Sequence, residues 1–190
     1  MTSEFLDAIE RLAGTLRGKT FRAAARFVIE HKSRALIETG CYRGDPADGQ
    51  STLVLALLAK EVEGYLDSYE LNTDPINHAM RLVESREGLY PAFVQFHQGD
   101  SVNSLSERDH KIHFAYLDSY DYEEPNFGPC QRHQLAELGA IYGKMQSPCA
   151  ILLDDYLPKT GGKTALSAAF LKDRGWTLAA QGYQLLFTRT

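Results

Sequence analysis

Near the N-terminus Phe5, Ile9, Leu12 and Leu16 recur at helical spacing behind Ser3, a residue able to cap a helix. A second helical stretch covers residues 21–29, offers Ala24, Ala25, Phe27 and Val28 for burial, and stops at His31-Lys32-Ser33. The rhythm then changes. Ala35-Leu36-Ile37 is a short unbroken apolar run, as expected of a strand buried on both faces of a parallel sheet. Glu38-Thr39-Gly40 ends it, a turn-rich segment follows through Gly49, and Gln50-Ser51 opens a helix through Leu58. The same alternation continues down the chain. Strands are predicted over 64–71, 93–97, 112–118 and 149–155, and helices over 72–88, 101–105, 131–145 and 164–173. Residues 176–180 and 183–190, joined through Gln181-Gly182, read as a terminal β-hairpin.

Strand and helix alternate five times before that hairpin. This predicts an α/β fold: a doubly wound, mostly parallel seven-stranded sheet closed by an antiparallel pair, with helices on both faces. With 190 residues and no linker, repeat or low-complexity tract, the chain is expected to form one domain, residues 1–190. Residues 34–190 make the sheet core, and the helices of 1–33 cover an edge or the ligand cleft. A net charge of −5 argues against a broad nucleic-acid surface. No apolar run approaches a membrane span, and the N-terminus lacks the pattern of a signal peptide. Cys41, Cys130 and Cys149 are too few and too scattered for a disulfide framework or a zinc site, so a cytoplasmic protein with reduced thiols is expected.

Chemistry enters at the carboxyl ends of the strands, where doubly wound sheets collect their ligands. Glu38, Glu70, Asp118 and the pair Asp154-Asp155 all end predicted strands, and Asp100 follows another. Single acids there often cap helices. Gathered on one rim they repel one another unless cationic or hydroxyl-bearing groups occupy the site. Glu70, roughly 30 residues beyond the glycine turn, is placed to accept the hydroxyls of a ribose. Asp100 either faces an adenine amino group or caps the helix begun by Ser101. Asp118 and Asp154 end strands that would lie about 4.8 Å apart. With Asp155 they could offer several oxygens to one hard cation, Mg²⁺ or Ca²⁺.

With these residues in view, the chain over 34–190 resembles the class I S-adenosylmethionine-dependent methyltransferases, whose fold is Rossmann-like. The resemblance rests on Glu38-Thr39-Gly40-Cys41-Tyr42-Arg43-Gly44, on Glu70, and on Gly99-Asp100-Ser101. Leu117-Asp118 and Leu153-Asp154-Asp155 are similar to the metal-binding strand ends of divalent-cation-dependent O-methyltransferases of the catechol, caffeoyl-CoA and macrocin type. It implies methyl transfer to a hydroxyl of a small molecule, with S-adenosylmethionine as cofactor. Glu38, Gly40, Tyr42, Gly44, Ser51, Glu70, Asp100, Ser101 and Asp118 would bind the cofactor. Mg²⁺, or another hard divalent cation, would sit on Asp118, Asp154 and Asp155.

Two departures from that family stand out. Asp45-Pro46-Ala47-Asp48-Gly49 looks inserted in the first turn, so either Gly44 or Gly49 could serve as its second glycine. Where catechol-type enzymes carry a lysine base, this chain has Ser119-Tyr120-Asp121; Asp121 or Tyr120 replaces it, or the base is absent. Tyr42, Tyr120 and Tyr122 either stack on ligands or pack, whereas His97 and His133 are expected to be solvated. Lys159, Lys163 and Gly161-Gly162 form a lid over the acceptor or, preferably, a solvated loop. Gly40-Cys41-Tyr42 lacks the second glycine of a nicotinamide-binding fingerprint, which disfavours a dehydrogenase. A metal-independent methyltransferase and a binding protein that has lost its chemistry remain as alternatives. The open acceptor face leaves room for a homodimer in which a second subunit completes the site.

Overall fold

A computed structural model describes residues 2–44, 50–121 and 126–190. Its seven strands are β1 (Ala35–Thr39), β2 (Tyr65–Glu70), β3 (Val94–Gln98), β4 (Ile112–Leu117), β5 (Met145–Leu153), β6 (Thr177–Gln181) and β7 (Leu185–Arg189). They form one sheet in the order β3-β2-β1-β4-β5-β7-β6. Strands β1 to β5 pair in parallel, and β7 runs antiparallel to both β5 and β6. The helices are α1 (Ser3–Ala13), α2 (Gly18–Glu30), α3 (Ser51–Glu61), α4 (Thr73–Glu84), α5 (Ser101–Glu107), α6 (Gly128–Tyr142) and α7 (Ala165–Asp173).

The central strands bury both faces, because successive side chains point to opposite sides. Leu36, Phe114, Tyr116, Ala150 and Leu152 meet α1, α2 and α3 on one side. Ile37, Ala115, Leu117, Ile151 and Leu153 meet α6 and α7 on the other. Helix α3 is buried from Ser51 to Ala59, since α1, α2 and α4 cover the sides that the sheet does not. This explains why its sequence is apolar all round rather than striped.

Several element ends differ from the sequence expectation. Thr2, not Ser3, caps α1, its hydroxyl accepting from the Phe5 amide. The helix stops at Ala13, which leaves Leu16 exposed. Met145 continues a helical spacing in the sequence, yet it starts β5, paired with Ile112 of β4. A 3₁₀ turn (Gly162–Thr164) precedes α7. All three cysteines are free and buried. Among the described residues no helix is long and apolar enough to cross a membrane.

Candidate functional site

Of the acids expected on the rim, Glu70, Asp100, Asp118 and Asp155 line cavities there, and Glu38 does not. Two cavities open at the carboxyl ends of β1, β2, β4 and β5, and Gly40, Arg43 and Asp121 line both. Gly40 lies where they meet, held by its amide to the Tyr69 carbonyl (2.9 Å). Its φ of +75° favours glycine, and a Cβ there would come within 2.7 Å of the Asp118 carbonyl oxygen.

The first cavity, about 240 Å³, has Glu70, Asp100, Ser101, Tyr120 and His133 in its wall. Glu70 is nearly buried, with Oε1 accepting from the Asn72 amide (2.9 Å). Asp100 does what one expectation held: its Oδ1 accepts from the Asn103 amide (2.9 Å) and caps α5, while the residue still faces the cavity. The Tyr120 and His133 rings lie 5.2 Å apart at the edge. Behind Ser101 sits a group that the sequence reading did not single out. Glu137 on α6 is fully buried and accepts from the hydroxyls of Ser101 (2.6 Å) and Ser119 (2.5 Å). His133, expected to be solvated, is half-buried beside it, and hydrogen bonding to Glu137 raises its pKa. The helical spacing of Cys130, Gln134, Glu137, Leu138 and Ile141, all buried, carried the signal: polar residues inside an apolar stripe.

The second cavity, about 300 Å³, has Arg17, Tyr42, Ser51, Asp118, Asp155 and Tyr183 in its wall. Asp118, Asp154 and Asp155 come together as expected, with carboxylate oxygens within 4.8 Å of one another. Unforeseen are the cations among them. Lys163 is buried, 1% exposed, with Nζ 3.1 Å from Asp118 Oδ1 and 3.2 Å from Asp155 Oδ2. The expectation of a solvated loop at Lys163 is therefore corrected. Arg17 grips the fully buried Asp154 with two nitrogens, at 3.2 and 2.7 Å. Burial opposes charge on Asp118, but Lys163, Arg17 and the hydrogen bonds with Asp154 and Tyr116 together outweigh it and hold the carboxyl below its usual range. The Lys163 pKa itself rises: burial acts against the charge, and Asp118 and Asp155 prevail.

The other predicted residues are placed as follows. Glu38 is fully buried in β1 and lines neither cavity; its Oε1 accepts from Ser68 Oγ (2.7 Å). Next to it Thr52 Oγ1 accepts from the Tyr42 amide (2.9 Å), so Glu38 supports the glycine turn from behind. Gly44 has a φ of +101° and packs near the His78 ring, away from both linings. Tyr120 faces the first cavity alone, whereas Asp121 sits at the junction, exposed and paired with Arg43 (2.6 Å). His97 lines neither cavity; it belongs to a polar cluster, 2.7 Å from Asp67 and stacked on Tyr69. The inserted segment 45–49 and Tyr122 lie outside the described residues.

Burial pushes the Glu38 carboxyl up to about 8, from an ordinary 4.5, so it is protonated in the folded protein at neutral pH. The unfolded chain releases that proton at lower pH, so this group removes stability as pH rises from 4.5 toward 8. In urea unfolding, Glu38→Gln is expected to gain about 2–4 kcal/mol on wild type between pH 5 and pH 8. Parallel stability profiles for the two proteins would refute the buried neutral acid.

Strand order, the glycine turn after β1 and the antiparallel β7 together define the fold of class I S-adenosylmethionine-dependent methyltransferases. Solved structures share it. A methyltransferase from Podospora anserina, PaMTH1, bound to S-adenosylhomocysteine, superposes with a TM-score of 0.65 at 12% identity, over 100% of this chain and 89% of that one. The O-methyltransferase NovP gives 0.66 at 14% identity, over 90% of this chain and 78% of its own. The O-methyltransferase TomG from Streptomyces achromogenes, in complex with S-adenosylmethionine, gives 0.61 at 16% identity, over 100% and 91%. No family model matches the sequence, and no curated protein does.

Proposed function

We propose that the protein transfers a methyl group from S-adenosylmethionine to a hydroxyl of a small polar molecule. The observation that carries this is the meeting of two cavities at Gly40, with Glu70 in one and Asp118 and Asp155 in the other. The first cavity fits a nucleoside: an acid for a vicinal diol, the polar edge of Asp100 and Ser101, and the flat rings of Tyr120 and His133. The second fits a hydroxylated acceptor, because most of its wall is charged or hydroxyl-bearing, from Arg17 and Arg43 to Asp118, Asp121, Asp155 and Tyr183. PaMTH1 and TomG hold S-adenosylhomocysteine and S-adenosylmethionine on the same fold, which supports the same occupant here.

When bound, the cofactor supplies a sulfonium-borne methyl that is electrophilic by itself and leaves behind a neutral thioether. The residues around it then hold and orient the acceptor, and alignment provides much of the acceleration. Asp118, ionised and partly exposed in the wall, is the proton acceptor. It takes the hydroxyl proton as the acceptor oxygen gains the methyl. Asp121 is an outer candidate for that role, whereas Tyr120 belongs with the nucleoside cavity.

Calorimetry with S-adenosylhomocysteine tests the cofactor half. Micromolar binding is expected for wild type, and Glu70→Ala should weaken it about 10- to 100-fold, the worth of hydrogen bonds to a charged acceptor. Absence of binding heat in the wild type would falsify the proposal.

A further inference from the structure

Every oxygen of the three clustered carboxylates already has a donor from the chain itself. Lys163 Nζ and the Tyr116 hydroxyl serve Asp118, at 3.1 and 2.8 Å. Arg17 serves both oxygens of Asp154, joined by Gln184 Nε2 on Oδ1 (2.5 Å). The Tyr183 hydroxyl (2.5 Å) and Lys163 (3.2 Å) serve Asp155. Three acids against two cations, the buried Lys163 and the partly buried Arg17, leave at most one uncompensated negative charge. A hard divalent cation needs several unshared oxygens and a surplus of negative charge. As arranged, the residues do not fit one: Lys163 bridges Asp118 and Asp155 in the middle of the cluster, and both oxygens of the buried Asp154 are turned to Arg17.

Lys163 is held in place by local structure. After β5 the chain turns back on itself, so that the Lys163 amide donates to the Asp155 carbonyl (3.0 Å). Gly162 makes that return, with a φ of +55° and no room for a Cβ against the Asp155 carbonyl oxygen. Gln131 Nε2 on α6 fixes its carbonyl (2.8 Å), and the Thr164 hydroxyl ties down that of Gly161 (2.7 Å). From this turn Lys163 points into the acids, with Nζ between Asp118 and Asp155.

Resting on the methyltransferase reading above, we infer that the Lys163 ammonium, with the Arg17 guanidinium, is the resident cation of this site, so that the acceptor is bound and oriented without a divalent metal. Lys163 does not line the acceptor cavity and is a positioning residue: its ammonium bridges Asp118 and Asp155 and fixes both in the wall. Specificity follows from the same arrangement. Without a metal to chelate, a vicinal diol or catechol has no advantage over a single hydroxyl flanked by groups that suit Arg17, Arg43 and Tyr183.

Mn²⁺ binding, followed by electron paramagnetic resonance, tests this on the intact chain, with S-adenosylhomocysteine affinity measured on the same samples. Wild type is expected to bind Mn²⁺ no more tightly than about 1 mM, the weak end for oxygen-ligand sites. Its S-adenosylhomocysteine affinity should be equal in Mn²⁺ and in EDTA. Lys163→Ala, or the length-matched Lys163→Met, should gain at least about tenfold in Mn²⁺ affinity, because removing the ammonium frees Asp118 and Asp155. Tight Mn²⁺ binding by wild type overturns the inference, and so does a folded Lys163 variant that gains none. If neither variant folds, the wild-type titration decides alone. Failure to bind S-adenosylhomocysteine would instead defeat the cofactor reading, whatever the Mn²⁺ result.

Discussion

Asp118→Asn is expected to lower kcat about 10²- to 10⁴-fold, the usual range for removing a positioned proton acceptor. It should leave S-adenosylhomocysteine affinity within about threefold, under 1 kcal/mol. The substitution keeps the shape and the hydrogen bond from Tyr116 while removing the charge that faces Lys163. Asp121→Asn should cost less than about tenfold, because Asp121 is exposed and engaged with Arg43 rather than set against the buried cluster. The assay is methyl transfer to the acceptor that turns over best in a screen of hydroxylated small molecules. Equal losses in the two variants would move the proton acceptor outward to Asp121. Stability provides a second readout. The depressed Asp118 pKa stabilises the fold above the unfolded carboxylate value near 3.9 and is lost as pH falls through the folded value. The stability deficit of Asp118→Asn should therefore close below about pH 4.

That Asp118 lies beside Asp154 was legible in the sequence for a simple reason. A parallel strand buried on both faces is a continuous apolar run, and an acid directly after it has to sit at the carboxyl rim. Leu117 pairs with Leu153, so the next residue of each strand meets its counterpart. Glu70 and Asp100 follow by the same logic, with Glu70 at the end of β2, and Asp100 just past β3. The partners of these acids were not legible. Arg17 lies 137 positions from Asp154, in a short link between two helices whose packing angle no periodicity encodes. Lys163 stands beside Gly161-Gly162, a composition that reads as solvated loop; only the positive φ angles, +80° and +55°, curl it inward. The sequence suggests that groups bound at the rim must offset its acids; in the structure Arg17 and Lys163, from the chain itself, face Asp118, Asp154 and Asp155. Glu38 was assigned to the ligand because it ends a strand, yet β1 runs one residue further, to Thr39, and Glu38 faces inward to Ser68.

Arg17→Met should be the most destabilising of the substitutions considered, because it strands a fully buried carboxylate. Asp154 would keep only Gln184 as donor, and removing one member of a buried ion pair costs about 3–5 kcal/mol. For a chain of 190 residues this corresponds to a Tm lower by roughly 10–15 °C. The loss should depend on pH. Burial and the adjacent Asp118 already push the Asp154 pKa upward, with Arg17 pulling against them. Without Arg17 that upward push is less opposed, so the variant loses more stability than wild type as pH rises above the unfolded value near 3.9. Thermal unfolding should show a larger deficit at pH 8 than at pH 5.5, and Arg17→Met combined with Asp154→Asn should recover more than half of it. A single variant within about 1 kcal/mol of wild type at pH 8 would show that the pair is not the anchor of the site. The guanidinium also lies 5.1 Å from the centre of the Tyr183 ring, whose hydroxyl donates to Asp155. One side chain thereby fixes both sides of the acceptor cavity, so the double variant, though refolded, should still turn over more slowly than wild type.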